Sequence, residues 1–414
     1  MELKCQVQMY AWGKIGTKSL AAEFAANGRP DDFCVDGTAP YAELWMGTHP
    51  NGPSVVKGHG SLAEYINKNP SVLGENSRKL FGDTLPFLFK VLSVNKALSI
   101  QAHPDKKHAE ELHKLRPDIY KDSNHKPEMA IALTDFEGLC GFRPLTQIQS
   151  NIKQVAQLRQ VIGQDLANSL LKATQDNYQL PLENAFAALM NCPKEKLNEA
   201  LESLKQEIEK KSCVTSTERL FKRLWHDFPG DVGCFVIYFL NILVLKPGEA
   251  MFLGPNLPHA YLSGDCIECM ACSDNVVRAG LTPKLIDVPT LCRMLIYQCP
   301  ENDKVDDTFK FKPHQENSSA TVVYDAPVPD FSVAKLLAAK GKGPVSFPSR
   351  DSASIIIVTD CQSGTYSASK NQASAFYVEN GQVKKGLVLF LEAQDVLEIT
   401  PDDKEDVVAF QAFC

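Results

Sequence analysis

The 414-residue chain has no apolar run of the length that crosses a membrane. Its most apolar stretch, Cys234–Leu245 (CFVIYFLNILVL), has twelve residues with Asn241 inside, against about 20 for a span. It reads as a buried strand or two. Positive charge is not in excess either. The 43 Lys and Arg against 50 Asp and Glu leave a net charge of −7, which argues against a nucleic-acid binder. No Walker loop is present, so NTP-dependent phosphoryl transfer is not expected. There is no dinucleotide-type G-x-G-x-x-G after a strand, no G-x-S-x-G elbow and no H-E-x-x-H. The first residues, MELKCQVQMYAWGK, lack the apolar core of a signal peptide. Cysteine, in contrast, is plentiful: 13 residues, an odd number, spread from Cys5 to Cys414. They read as free thiols in a reducing compartment, and the expected location is cytoplasmic. With 44% hydrophobic and 22% charged residues the chain is ordinary globular material, of a length that suits two or three domains.

Three textures follow one another. Residues 1–144 hold short apolar runs such as AELWMG, PFLFKVLSV and ALSIQAH between turn residues, the pattern of strands. Short helices are expected at Ser61–Lys68 and Lys106–Leu115. From Leu145 to Phe228 the period changes to that of amphipathic helices, as in Ile148, Ile152, Val155, Leu158 and Ile162, or Leu197, Leu201, Leu204 and Ile208. Pro193, after Asn191, stands where a helix can start. From Asp231 onward strands return, in LNILVLKPGEAMFLG, SASIIIVTD and GLVLFLEAQ. The expected organisation is a discontinuous β domain (1–144 and 231–300), a helical insert (145–230) and a C-terminal β region (301–414), with a boundary near Pro300–Ser318. The tail is expected to fold as a separate sandwich or jelly roll.

The densest polar chemistry lies in Ser99–Glu128. Gln101 and His103 are two apart, on one face of a strand, where an oxygen and a nitrogen converge. Glu128 opens a further strand, and His259 another one after Pro258. Two His, one Glu and one Gln make a mixed N/O site that suits zinc with a position left for water or substrate. A lone His or Gln in a β domain is more often only a hydrogen-bonded polar residue. His108 and His113 lie about 140° apart on a helix and are read as solvent-exposed. Cys266, Cys269 and Cys272 have knuckle-like spacing, but the fourth cysteine is missing and strand alternation separates them, so they are read as buried thiols. Arg278 and Lys284, with Lys126, Lys90 and Ser99, place cations and a hydroxyl near the proposed metal, as an anionic substrate such as a phosphate would require.

These residues lie in blocks that resemble the type I phosphomannose isomerase family: YAWGK (Tyr10–Lys14), PYAELWMGTHPNG (Pro40–Gly52), LPFLFKVLSV (Leu85–Val94), LSIQAHPDK (Leu98–Lys106), NHKPEMAIAL (Asn124–Leu133), GLCGFRP (Gly138–Pro144), the long block Pro247–Lys284, and DVPTL (Asp287–Leu291). The resemblance implies a mainly β fold with a helical insert, in which two cupin-type jelly rolls form a double cupin. It implies one zinc ion per chain, held by Gln101, His103, Glu128 and His259. It also implies interconversion of mannose 6-phosphate and fructose 6-phosphate, feeding mannose and GDP-mannose metabolism. Arg278 matches the family's catalytic arginine, and Ser99, Lys126 and Lys284 match positions around the substrate phosphate. Tyr261, Lys90 and His125 are read as further substrate contacts. The partner is then a small hexose phosphate, with neither nucleic acid nor membrane, and the chain is expected to be a monomer.

Aldose–ketose isomerisation through a cis-enediol needs a base for a carbon-bound proton and an electrophile for the growing oxyanion. Arg278, which keeps its charge at neutral pH, suits the second role. Glu268 is the first choice for the base, with Asp274, His125, Lys126 and a zinc-bound hydroxide left open. An iron dioxygenase using a two-His, one-Glu triad and a non-catalytic sugar-binding double cupin are the competing readings.

Overall fold

The computed structural model describes residues 1–316, 320–370 and 378–414. Eleven strands form one antiparallel sheet: β1 (Gln6–Gln8), β2 (Glu43–Met46), β3 (Phe87–Val94), β4 (Ile100–Ala102), β5 (Glu128–Ala132), β6 (Phe136–Phe142), β7 (Leu240–Leu245), β8 (Ala250–Leu253), β9 (His259–Ala271), β10 (Val277–Gly280) and β11 (Lys310–Phe311). The main path runs β11-β8-β5-β9-β3-β2-β1, and β6, β7, β4 and β10 branch from β9.

The long strand β9 organises the molecule. Its first half pairs with β6 and β4, its second half with β5 and β3. His259 and Glu268 are nine positions apart, an odd number that would put them on opposite faces of a regular strand. The register shifts between Ser263 and Tyr261, next to Gly264 with φ +113°. A Cβ there would lie 2.5 Å from the Asp135 carbonyl oxygen, so only glycine fits. The bulge resets the alternation, and Tyr261 and Cys266 share one interior cluster with Ala130, Leu92 and Phe136.

The outer face of β9 is covered at both ends. Ala260 and Leu262 pack with Ile148, Phe186, Leu201 and Phe221 of the helical insert. Ile267 and Cys269 pack with Ile355, Phe390 and Phe410 of the C-terminal region. Between Leu145 and Asp227 lie six α-helices, as the 3.6-residue period predicts, and the helix Lys194–Glu209 follows Pro193. The helix Ser216–Asp227 starts with a capping box of Thr215 and Glu218.

After Pro300 the C-terminal region builds a six-stranded and a four-stranded antiparallel sheet. The expected boundary is bridged rather than open: β11, beyond Pro300, pairs with β8 of the first sheet. The tail also shares its core with that sheet instead of standing apart, and the Met1 carbonyl accepts from the Phe390 N–H at 2.8 Å. Another expectation is corrected at Cys234–Leu245: Gly233–Val236 is a short helix, and only Leu240–Leu245 is a strand. The short helices at Leu62–Lys68 and Lys106–Leu115 lie where expected, capped by Ser61 and Asp105. His108 and His113 are half-buried rather than exposed, with His113 Nδ1 2.7 Å from the Tyr120 carbonyl. Cys266, Cys269 and Cys272 are free thiols, with Cys266 in the interior cluster and Cys269 on the other side of the strand.

Candidate active site

Three of the expected ligands meet inside the first sheet. One donor atom from each of His103, Glu128 and His259 lies within 4.8 Å of the others, and all three residues are buried. His103 follows β4 and stands before Pro104 and Asp105, whose carboxylate caps the next helix; this fixes where its strand stops. Glu128 is the first residue of β5 and His259 the first of β9.

The protons on these rings are set from behind. His103 Nδ1 is 2.6 Å from the Asn275 carbonyl, and His259 Nδ1 is 2.9 Å from the Leu257 carbonyl. Each Nδ1 therefore carries the proton and donates it, which leaves the Nε2 lone pairs pointing inward. They face Glu128 at 3.5 Å (His103) and 3.3 Å (His259). Burial pushes His103 down to about 4, so it is neutral at pH 7 despite Glu128 beside it. Burial alone would raise Glu128, but Lys126, 3.2 Å away, and His103 hold it well below the ordinary carboxylate range. The lone pair of the neutral His103 ring, the His259 Nε2 and the Glu128 carboxylate thus converge on one point. Both Nε2 atoms and Glu128 Oε2 are buried without a hydrogen-bond partner. A bound cation satisfies all three at once, and the N/O donor set fits zinc.

Gln101 stands beside this group. Its register partners are His259 on β9 and Arg278 on β10, and directly opposite residues of antiparallel strands share a face. Its Oε1 accepts from Ser99 Oγ at 3.3 Å. One strand further out, Arg278 is half-buried, and among the described residues no carboxylate pairs with it. Arg278, Ser99 and Lys284 line one cavity of about 510 Å³ with Trp12, Thr282 and Phe228.

Behind the ligands lies a second charged group. Lys90 Nζ is 3.0 Å from Glu268 and 3.3 Å from Glu43, and the Trp45 indole N–H donates to Glu43 at 2.5 Å. Burial raises Glu268, Lys90 opposes that rise, and Glu128 and Glu43 add to it. Lys90 is held charged by its two carboxylates against its burial. Tyr261 is buried with its hydroxyl unpartnered, and burial and Glu268 push it up.

Two expected site residues lie elsewhere. His125 Nε2 is 3.0 Å from the Asp330 carboxylate and lines a different cavity of about 680 Å³. Asp274 is exposed, 3.6 Å from His49, a contact that lowers its carboxyl, and does not line the cavity of Arg278. Sequence reasoning missed Glu43, Trp45 and Asn275. Glu43 had one signal, a lone acid inside the apolar strand AELWMG. Asn275 acts through its main-chain carbonyl, which no side-chain pattern reveals.

Comparison with known proteins agrees with this arrangement. Residues 1–145 match the model of the phosphomannose isomerase type I catalytic domain, and residues 149–240 that of its helical insertion domain. A mannose-6-phosphate isomerase of Mus musculus is 44% identical, with 100% of this chain and 98% of that protein covered. Among solved structures, a variant of phosphomannose isomerase from Salmonella typhimurium superposes with a TM-score of 0.82 at 31% identity, covering 100% of this chain and 98% of the other. A mannose 6-phosphate isomerase bound with zinc and yttrium gives the same values. The chain belongs to the type I phosphomannose isomerase family.

Proposed function

We propose that the chain interconverts mannose 6-phosphate and fructose 6-phosphate, with one zinc ion held by Gln101, His103, Glu128 and His259. The observation that carries this reading is the set of three buried, unpartnered donor atoms beside an uncompensated Arg278. It is supported by relatives named mannose-6-phosphate isomerase along their whole length and by the zinc-bound neighbour. When bound, the metal supplies Lewis acidity that polarises the sugar carbonyl.

The rest falls to the chain. Ser99 and Lys284 bind the anionic end of the sugar in the cavity they share with Arg278. Arg278, one strand from Gln101, stabilises the negative charge of the cis-enediol as it develops. Glu268 takes the carbon-bound proton from C1 or C2 and returns it to the other carbon; burial raises it toward the range where a carboxylate exchanges protons. Lys90 and Glu43 orient Glu268, Lys126 orients Glu128, and Tyr261 bounds the site between His259 and Glu268. His125 holds the Lys126 loop to Asp330.

In this reading residues 1–144 and 231–300 form the catalytic jelly roll, 145–230 the helical insert and 301–414 a second jelly roll, as a double cupin. The protein acts as a cytoplasmic monomer and feeds GDP-mannose synthesis. No helix among the described residues is long and apolar enough to cross a membrane. A coupled isomerisation assay on zinc-loaded protein tests the reading, and absence of turnover with both hexose phosphates would sink it.

A further inference from the structure

The cavity of Ser99, Arg278 and Lys284 has two more charged residues in its wall, Lys96 and Asp227. Lys96 follows β3, and its main-chain N–H donates to the Trp12 carbonyl at 3.1 Å. Asp227 ends the helix Ser216–Asp227 of the insert. Their charges are 3.9 Å apart, with the lysine side chain 53% and the aspartate 13% exposed.

This pair is poorly explained as a structural tie. At 3.9 Å the contact is too long for a hydrogen bond, and among the described residues the Lys96 ammonium makes none. A carboxylate at the last residue of a helix faces the negative end of the helix dipole. It also stands in the wall of a cavity that otherwise presents a guanidinium and an ammonium, where it opposes an anionic ligand. A dianionic phosphate changes the balance. With it, Lys96, Lys284 and Arg278 together neutralise the phosphate and the Asp227 carboxylate. The flexible four-carbon stem lets the Lys96 ammonium turn from one anion to the other without backbone movement.

We propose that Lys96 is a further phosphate-binding residue of this cavity, held by Asp227 in the free protein and transferred to the phosphate of the ligand, so that Asp227 tunes how tightly the phosphate is held. The proposal rests on the hexose-phosphate reading but adds residues outside it, one of them from the helical insert. Inorganic phosphate binding measured by calorimetry, together with kcat and KM for mannose 6-phosphate, tests it on the full-length zinc-loaded protein. Lys96→Ala should weaken phosphate binding about five- to tenfold and raise KM in proportion, with a smaller change in kcat. Lys96→Arg should restore most of the loss. Asp227→Asn should act in the opposite direction, tightening phosphate about two- to fivefold. Structural damage would weaken binding in both variants. Unchanged affinity in Lys96→Ala, or weaker phosphate binding in Asp227→Asn, overturns the proposal. Wild-type protein that binds phosphate without isomerising the sugar would instead remove the isomerase reading and leave Lys96 to be judged on the phosphate data alone.

Discussion

Lys90 and Glu268 are register partners on β3 and β9, with their charges 3.0 Å apart and both side chains sealed from solvent. Glu43 makes the third member, and the Trp45 indole satisfies it from the side. Removing the only cation of this group leaves two buried carboxylates facing each other. Lys90→Met should cost about 3–5 kcal/mol in urea unfolding. Glu43→Gln keeps an oxygen for Trp45 and should cost about 1–3 kcal/mol. The order of the two variants is the test: equal or reversed losses would contradict the arrangement.

Metal removal should be visible without any assay of turnover. Chelation is expected to lower the melting temperature by several degrees, and added zinc to restore it, because the cation binds only the folded ligand set. In His259→Ala the melting temperature should no longer respond to chelator. A full response in that variant would move the metal site elsewhere.

The metal-free protein should lose stability in mild acid. His103 sits at about 4 in the fold against an ordinary 6.5, because it is buried. Between those values the unfolded chain holds a proton on this ring that the folded chain does not. Stability therefore falls as pH drops through that window, by up to about 3 kcal/mol. Urea unfolding of chelated protein at pH 7, 5.5 and 4.5 measures the slope, and His103→Gln should flatten it.

Gly264→Ala puts a Cβ 2.5 Å from the Asp135 carbonyl oxygen at a φ of +113°. The expected cost is about 2–4 kcal/mol, from strain plus displaced backbone. Because the bulge sets the phase between His259 and Glu268, the zinc content of the purified variant should fall as well. Full zinc occupancy with lowered stability would separate the strain from the alignment.

Thiol reactivity should follow burial. Cys34 and Cys213 are exposed, while Cys5 and Cys140 are buried and pushed up to about 12. Under native conditions at pH 8, iodoacetamide followed by mass spectrometry should mark Cys34 and Cys213 first. Cys5 and Cys140 should react only after unfolding.

Much of this was legible in the sequence, for reasons that can be stated. Helical periodicity marked the insert because its helices bury one stripe each, as Leu197, Leu201, Leu204 and Ile208 do. The residues of the candidate cluster were visible because His103, Glu128 and His259 each stand beside a proline at the end or start of a strand, and Gln101 lies two residues before His103 on the same strand face. The rest depends on contacts that lie far apart along the chain. Lys96 and Asp227 meet across 131 positions, and His125 and Asp330 across 205. No local pattern encodes such pairs. The short helix at Gly233–Val236 was missed because an apolar run buried on every side has no periodicity to read.

The place of β9 in the chain has a consequence for synthesis. Gln101, His103 and Glu128 leave the ribosome well before His259, and the strand that carries His259 pairs with β3, β4, β5 and β6, all made earlier. The insert, with its local helical contacts, can fold first. The pocket of His103, Glu128 and His259 closes only when the strand that fills the gap arrives. A nascent chain stopped short of His259 lacks the third of these buried donors, so in the proposed zinc enzyme metal capture is a late event that reports assembly of the sheet around β9.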